Sequence, residues 1–356
     1  MRWDNLQLTE DEPPGAGLTA PLFRQGAVAR TFDTPEFRGI TFFEVTAKSI
    51  INRVPPESRM PFRWTINPYR GCTHACVYCF ARRTHEYLDL DAGQDFNSKV
   101  IVKVNAEDVL RRELAARTWR GEHIAMGTNV DCYQRAEGRY HLMRGILSAL
   151  RDAANPFSIL TKGSLILRDL DLLAEAAEVT HVATDVSVGS VDRELWRVVE
   201  PGTPSPQKRL EVCARLNDSG IGCGVLMAPI LPFLSDSPAQ LSTTVKAIAD
   251  AGARHVLPIV LHLRPGAREW FFAWLREHEP GLVRKYERLY ARGSYAPKAY
   301  QQEISGRVHE LARRFGVGTV GGRMPKESRS IRSWGHHDEG AAPVATAEQG
   351  TQLAML

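Results

Sequence analysis

Cys72, Cys76 and Cys79 lie within eight positions of "RGCTHACVYCFAR", residues 70 to 82, with Tyr78 directly before the last cysteine and Phe80 directly after it. Thiolates are soft ligands for zinc or iron-sulfur clusters, and spacings of three and two residues let one loop wrap a single metal centre. A structural zinc site usually takes four protein ligands, so His74, His85 or a distant cysteine would have to supply the fourth. A [4Fe-4S] cluster on three cysteines instead leaves one iron open for a substrate or cofactor. Cys132, Cys213 and Cys223 are scattered, and six cysteines in 356 residues are too sparse for a disulfide scaffold.

The elements that must position this loop alternate along the chain. Short apolar runs predict buried strands at residues 62 to 67, 123 to 128, 157 to 161, 181 to 188, 222 to 229 and 255 to 263. Helical stretches separate them. Asn105 is the predicted cap of "AEDVLRRELAAR", and Ser237 followed by Pro238 opens a helix with Leu241, Val245, Ile248 and Ala249 on one face. Gly220 and Gly252 follow the ends of two helices, where a left-handed residue is often glycine. Strands alternating with helices predict an α/β fold with parallel strands and right-handed crossovers, curved toward a barrel, whose chemistry lies at the carboxyl ends of the strands. The cysteine loop begins directly after the first of them.

With 43% hydrophobic and 24% charged residues, the chain has a globular composition. No run approaches the roughly 18 apolar residues of a membrane span, and the opening "MRWDNLQLTEDEPPG" lacks a secretory pattern, so a cytoplasmic protein without membrane partners is expected. Residues 1 to 55 read as a leader and pre-barrel segment, 56 to 265 as the core, 266 to 334 as a basic helical C-terminal extension, and 335 to 356 as a disordered tail. The net charge of +4 is small, but between Arg264 and Arg332 fifteen Lys and Arg face seven Glu. That excess suits a solvated helix surface or a face that meets phosphates.

The spacing Cys72-x3-Cys76-x2-Cys79 with Tyr78, placed after a first strand, resembles the cluster loop of the radical S-adenosylmethionine (SAM) superfamily. The surrounding "FRWTINPYRGC" and "YCFAR" resemble its branch related to spore photoproduct lyase, and "FFEVTAKSIINRVP" is similar to a segment preceding the barrel in actinobacterial relatives. The resemblance implies a partial (βα)6 TIM-type barrel, a [4Fe-4S] cluster on Cys72, Cys76 and Cys79, and SAM bound to the open iron. It also implies an electron donor such as flavodoxin or ferredoxin, and a 5′-deoxyadenosyl radical that takes hydrogen from a substrate.

The same resemblance assigns SAM contacts residue by residue. Thr128 and Asn129 match a polar pair that meets the amino group, with Asn129 standing where the lyase has an acid. Lys162 matches a lysine that pairs with the carboxylate, Ser187 a hydroxyl on the nucleoside or methionine part, and Ala228 a position in the adenine-binding turn, against which Tyr78 packs. "GTPSP", 202 to 206, shapes the cavity wall and starts a helix. Asp185 shares a strand face with Ser187 but carries no role in the motif. The lyase's hydrogen-returning cysteine is replaced by Gly127, leaving Cys132 as the candidate donor or a core filler, while Asp131, Tyr133, Gln134 and Glu137 read as a polar substrate site or a solvated loop. The implied activity is radical SAM chemistry on nucleic acid, with a protein, peptide or small molecule as the alternative substrate. A zinc or iron-sulfur protein without SAM chemistry is the alternative of another class.

Overall fold

The computed structural model describes Leu6–Gln7, residues 26–58 and residues 60–319. In chain order its strands are β1 (Leu6–Gln7), β2 (Val28–Thr31), β3 (Thr41–Ala47), β4 (Ile51–Arg53), β5 (Trp64–Ile66), β6 (Tyr69–Arg70) and β7 (Lys99–Lys103). They continue with β8 (Ile124–Met126), β9 (Phe157–Thr161), β10 (Val182–Ser187), β11 (Cys223–Ile230), β12 (His255–Val260) and β13 (Gly318–Thr319). The helices are α1 (Gln94–Ser98), α2 (Ala106–Leu114), α3 (Glu137–Tyr140), α4 (Leu142–Asp152), α5 (Leu170–Val179) and α6 (Arg193–Val199). After them come α7 (Pro206–Asp218), α8 (Pro238–Asp250), α9 (Ala267–His278), α10 (Val283–Leu289) and α11 (Lys298–Phe315).

All six expected strands form, and they pair in parallel in chain order, β5-β8-β9-β10-β11-β12. β4 adds antiparallel at one edge and β13 parallel at the other, so the sheet is an open, partial barrel. Its faces differ sharply. Val186, Val225, Val256 and Val260 point outward and are buried under the helices, whereas Leu160, Leu226 and Leu257 on the inner face are only half-buried and Ile259 is exposed. The hydrophobic driving force therefore acts on the outer face, and the inner face lines an open trough.

A second sheet, not anticipated from the sequence, is built from β1, β2, β3, β6 and β7, with β3 parallel to β7. It interrupts the first β-α unit, so the chain leaves β5, passes through the cysteine loop and β7, and reaches β8 only after α2. β2, β3 and β4 all lie within the leader and pre-barrel segment expected over residues 1 to 55. The basic extension likewise joins the body of the fold, because α11 packs against α8 and β12 and leads into β13. The tail 335 to 356 and the basic run 321 to 334 lie outside the described residues.

Local signals were used as expected at α8, where Ser237 accepts from the Gln240 amide in a capping box and Leu241, Val245 and Ile248 are buried. Gly220 and Gly252 adopt positive φ at 78° and 68°. Asn105 behaves differently. Its side chain does not cap α2; its Oδ1 accepts from the Ala47 amide at 2.8 Å and its Nδ2 donates to the Ala47 carbonyl at 2.9 Å, tying the second sheet to the helix. Asn105→Ala, which leaves both Ala47 groups unpaired, is expected to lower the unfolding free energy by about 2 kcal/mol in urea denaturation. Asn105→Ser, an equally good cap, should not restore it.

Candidate active site

The cysteine loop leaves β6 at Gly71 and runs through three free thiols, with Cys72 and Cys76 buried and Cys79 half-buried. Burial pushes all three thiols up, Cys76 to about 12, and charge repulsion from Cys79 adds to the rise at Cys72 and Cys76. A thiolate at this site therefore needs a cationic centre to stabilise it, which suits metal ligation. Among the described residues no three His, Cys, Asp or Glu side chains converge on a single ion. His74 and His85, considered above as fourth ligands of a zinc site, are instead committed elsewhere. His74 Nδ1 sits 3.4 Å from Asp131 Oδ2, and His85 Nε2 lies 2.9 Å from the Lys99 carbonyl, to which it donates.

The loop is held by the segment that follows β8. Gln134 accepts from the Thr73 amide at 2.8 Å and donates to the Gly71 carbonyl at 2.9 Å, clamping the backbone on both sides of Cys72. Asp131 accepts from Thr161 Oγ1 and the Lys162 amide at 2.6 Å each and from the Tyr133 amide at 2.8 Å. Burial works to raise this carboxyl, but His74 and the hydrogen bonds outweigh it and hold it at about 2. Tyr69 and Arg168 donate to buried Glu137 at 2.5 and 2.6 Å, and Tyr133 to buried Asp169 at 3.1 Å. Asp131, Tyr133, Gln134 and Glu137 thus form neither a substrate surface nor a solvated loop; their side chains are engaged inward, with Gln134 and Asp131 meeting the cysteine loop, Glu137 meeting Tyr69 and Arg168, and Tyr133 meeting Asp169.

The other side of the loop is held by residues 199 to 202, which lead into "GTPSP". The Val77 amide donates to Val199 and the Gly202 amide to His74, both at 3.0 Å, and Ser205 caps α7 with Pro206 in its first turn. Glu200, which sequence reasoning passed over, is buried here against fully buried Arg209 and accepts from the Tyr78 hydroxyl. Lys162 Nζ is 3.9 Å from Glu200 and donates to Ser187 Oγ at 2.7 Å, and Ser187 Oγ donates to the Ala228 carbonyl at 2.8 Å. Four expected SAM contacts, Tyr78, Lys162, Ser187 and Ala228, are therefore joined in one chain of contacts, with a cis peptide bond following Ala228. The partner that a lysine at this depth requires is Glu200.

Thr128 and Asn129 are half-buried at the end of β8, directly after Gly127. Gly127 has φ +75°, and a Cβ there would stand 1.8 Å from the Leu160 carbonyl oxygen, so this backbone leaves no room for any side chain. Cys132 is fully buried in the core beside Tyr133, within electrostatic reach of Asp131 and Glu137. Arg82 was also missed. It is fully buried, donates to the Cys76 carbonyl at 2.9 Å and the Gly93 carbonyl at 2.8 Å, and lies over Trp270 of α9 at 4.6 Å. Its position three residues after Cys79, in a helical turn that must pack back on the loop, was the available signal.

The model of the radical SAM superfamily matches residues 66–242. The chain belongs to the radical SAM superfamily. It is 47% identical over 315 residues, 88% of this chain and 93% of the relative, to an uncharacterized protein of Mycobacterium tuberculosis strain H37Rv. An uncharacterized protein of Methanocaldococcus jannaschii is 30% identical over 197 residues, 55% of this chain and 70% of that one. Among solved structures the fold is similar to spore photoproduct lyase complexed with a dinucleoside spore photoproduct, with TM-score 0.58, 16% identity, 75% of this chain and 78% of that one covered. A doubly substituted mutant of that lyase, with bound AdoMet and dinucleoside spore photoproduct, gives TM-score 0.59 at the same identity and coverage. The protein is a radical SAM enzyme with the partial-barrel fold, and no described helix is long and apolar enough to cross a membrane.

His85 anchors the radical SAM cysteine loop to the second sheet, and burial pushes its imidazole down to about 4. Because the unfolded chain binds the proton nearer pH 6.5, the stability this group contributes is present above that value and is lost as the pH falls toward 4. The unfolding free energy of the wild type is expected to fall more steeply over this window than that of His85→Gln, by at most about 1.4 kcal/mol per pH unit, in urea titrations.

Proposed function

We propose that Cys72, Cys76 and Cys79 hold a [4Fe-4S] cluster, and that Tyr78, Thr128, Asn129, Lys162, Ser187 and Ala228 surround SAM bound to it. The observation that carries this reading is the convergence of the cysteine loop with the Lys162–Ser187–Ala228 chain at the carboxyl ends of three strands. When bound, cluster and SAM supply reductive cleavage of the sulfonium and a 5′-deoxyadenosyl radical that takes hydrogen from the substrate. Lys162 is oriented by Ser187 and Glu200 toward an anionic group such as SAM's carboxylate. Arg82 places a fixed positive charge beside the thiols, and Trp270 shields it from water. An electron donor such as flavodoxin or ferredoxin supplies the reducing equivalent.

The reading extends to nucleic acid as the substrate class. Two things support it: between Arg264 and Thr319 eleven Lys and Arg stand against six Glu, and the similar lyase structure holds a dinucleoside. The resident hydrogen donor of the lyase does not carry over, because Gly127 has no room for a thiol. Cys132 would serve as donor only if its buried side chain were brought into the trough.

Anaerobically reconstituted protein should be brown, bind SAM and release 5′-deoxyadenosine with dithionite. Alanine at any of the three cysteines should abolish release, and Lys162→Met should keep the iron while weakening SAM binding about 10-fold or more. Intact SAM with a fully loaded, reduced protein would overturn the reading. For the substrate class, retention on DNA or RNA should fall steeply as salt rises from about 50 to about 200 mM. No retention at low salt would remove nucleic acid.

A further inference from the structure

The trough below the SAM-facing layer contains one polar pair for which neither the family nor the proposed cofactor shell has a use. Asp185 on β10 and His255 on β12 are separated by β11, yet His255 Nε2 lies 2.8 Å from Asp185 Oδ1. Glycine makes this reach possible. Asp185 pairs with Gly224, Gly224 lies beside His255, and a Cβ on Gly224 would stand 2.2 Å from His255 Cε1. The imidazole therefore lies flat over the glycine and spans the strand.

The pair sits on the inner face, two residues before Ser187 and so about 7 Å deeper in the trough. It is open to solvent, with the Asp185 side chain 31% and the His255 side chain 15% exposed. Among the described residues neither side chain has a hydrogen-bond partner: the approach is an ion-pair contact, Asp185 Oδ1 is buried and unpartnered, and the exposed part of the carboxylate lies beyond it. Leu160 is level with it on β9, and Leu226 and Leu257 follow it on the same face at the level of Ser187, with Ile259 beyond them, all half-buried or exposed. Partly hydrated apolar walls around a single carboxylate–imidazole pair match a ligand with flat apolar faces and one polar edge. The carboxylate accepts N–H or O–H donors and repels phosphate.

We propose that Asp185 and His255 form the recognition site for an N–H-bearing planar heterocycle, such as a nucleobase, held with its donor edge on the dyad and its ring between the leucines. The proposal rests on the strand ends above it being the SAM site, and it deepens the substrate reading. Any phosphate attached to such a ring would lie outside the trough, toward cationic groups. A free nucleoside and a base of a nucleic acid share this chemistry.

The test is anaerobic equilibrium dialysis of the reconstituted, SAM-bound full chain. The ligands are thymidine, deoxyguanosine, their N3-methyl and N1-methyl derivatives, and a thymidine octanucleotide. At least one unmethylated ligand is expected to bind roughly 10-fold tighter than its methylated form, the effect of one hydrogen bond to a carboxylate. Asp185→Asn should erase that preference while dithionite-driven release of 5′-deoxyadenosine continues. His255→Gln and Gly224→Ala, the latter of which pushes the imidazole off its seat, serve as independent variants and should act in the same direction. Retention of a free nucleoside assigns a small substrate, and retention of the octanucleotide alone assigns nucleic acid; either supports the site when Asp185→Asn weakens that retention, and overturns it when Asp185→Asn leaves it unchanged. No retention of any of these, or an unchanged preference in Asp185→Asn, overturns it. Loss of 5′-deoxyadenosine release in the wild type would instead overturn the SAM reading.

Discussion

The carboxylate of Asp131 is the point at which three segments meet. It faces His74 from the cysteine loop, accepts from the end of β9 through Thr161 and Lys162, and fixes its own loop through Tyr133. A buried carboxylate stays ionised only when enough donors surround it, and here the donors are the parts whose relative position matters most. The loop that carries the thiols and the strand end that carries Lys162 cannot shift independently without uncovering that charge.

The same principle organises the opposite wall. Glu200 joins Tyr78, Arg209 and Lys162, so the aromatic residue of the cysteine motif and the cation at the end of β9 share one anion. Arg209 also donates to the Ser187 carbonyl at 2.7 Å, which carries the constraint to β10. Arg82 completes the enclosure from below, between the cysteine loop and α9. Removing one partner from such a network costs more than any pair contributes, because the remaining charge is left buried.

The parallel sheet was legible because its strands are short apolar runs bounded by helices, and the cysteine loop because three thiols at fixed spacing have few other uses. The second sheet was not, since β1, β2 and β6 are two to four residues long and take their identity from pairing partners far away in sequence. Asp131, Tyr133, Gln134 and Glu137 were recognisable as polar and were read as a polar substrate site or a solvated loop. Residue type states how many hydrogen bonds a side chain can make, but only the fold states in which direction. Asn105 shows the same gap, a cap by type and a cross-link by location. Gly127 looked like a missing cysteine, whereas the Leu160 carbonyl beside it shows that the backbone itself has taken the space. Arg209 and Glu200 gave no local signal, because a buried ion pair is defined by its partner.

The unequal faces of the parallel strands have a consequence for how such an enzyme changes over time. Val186, Val225, Val256 and Val260 hold the sheet to its helices, while Asp185, Leu226, Leu257 and Ile259 on the trough side contribute little burial. Residues that carry stability and residues that face the trough are therefore different residues on the same strands, alternating one by one. Substitution in the second set costs little folding free energy, so the lining of the trough can be changed while the packing of the sheet on its helices stays intact.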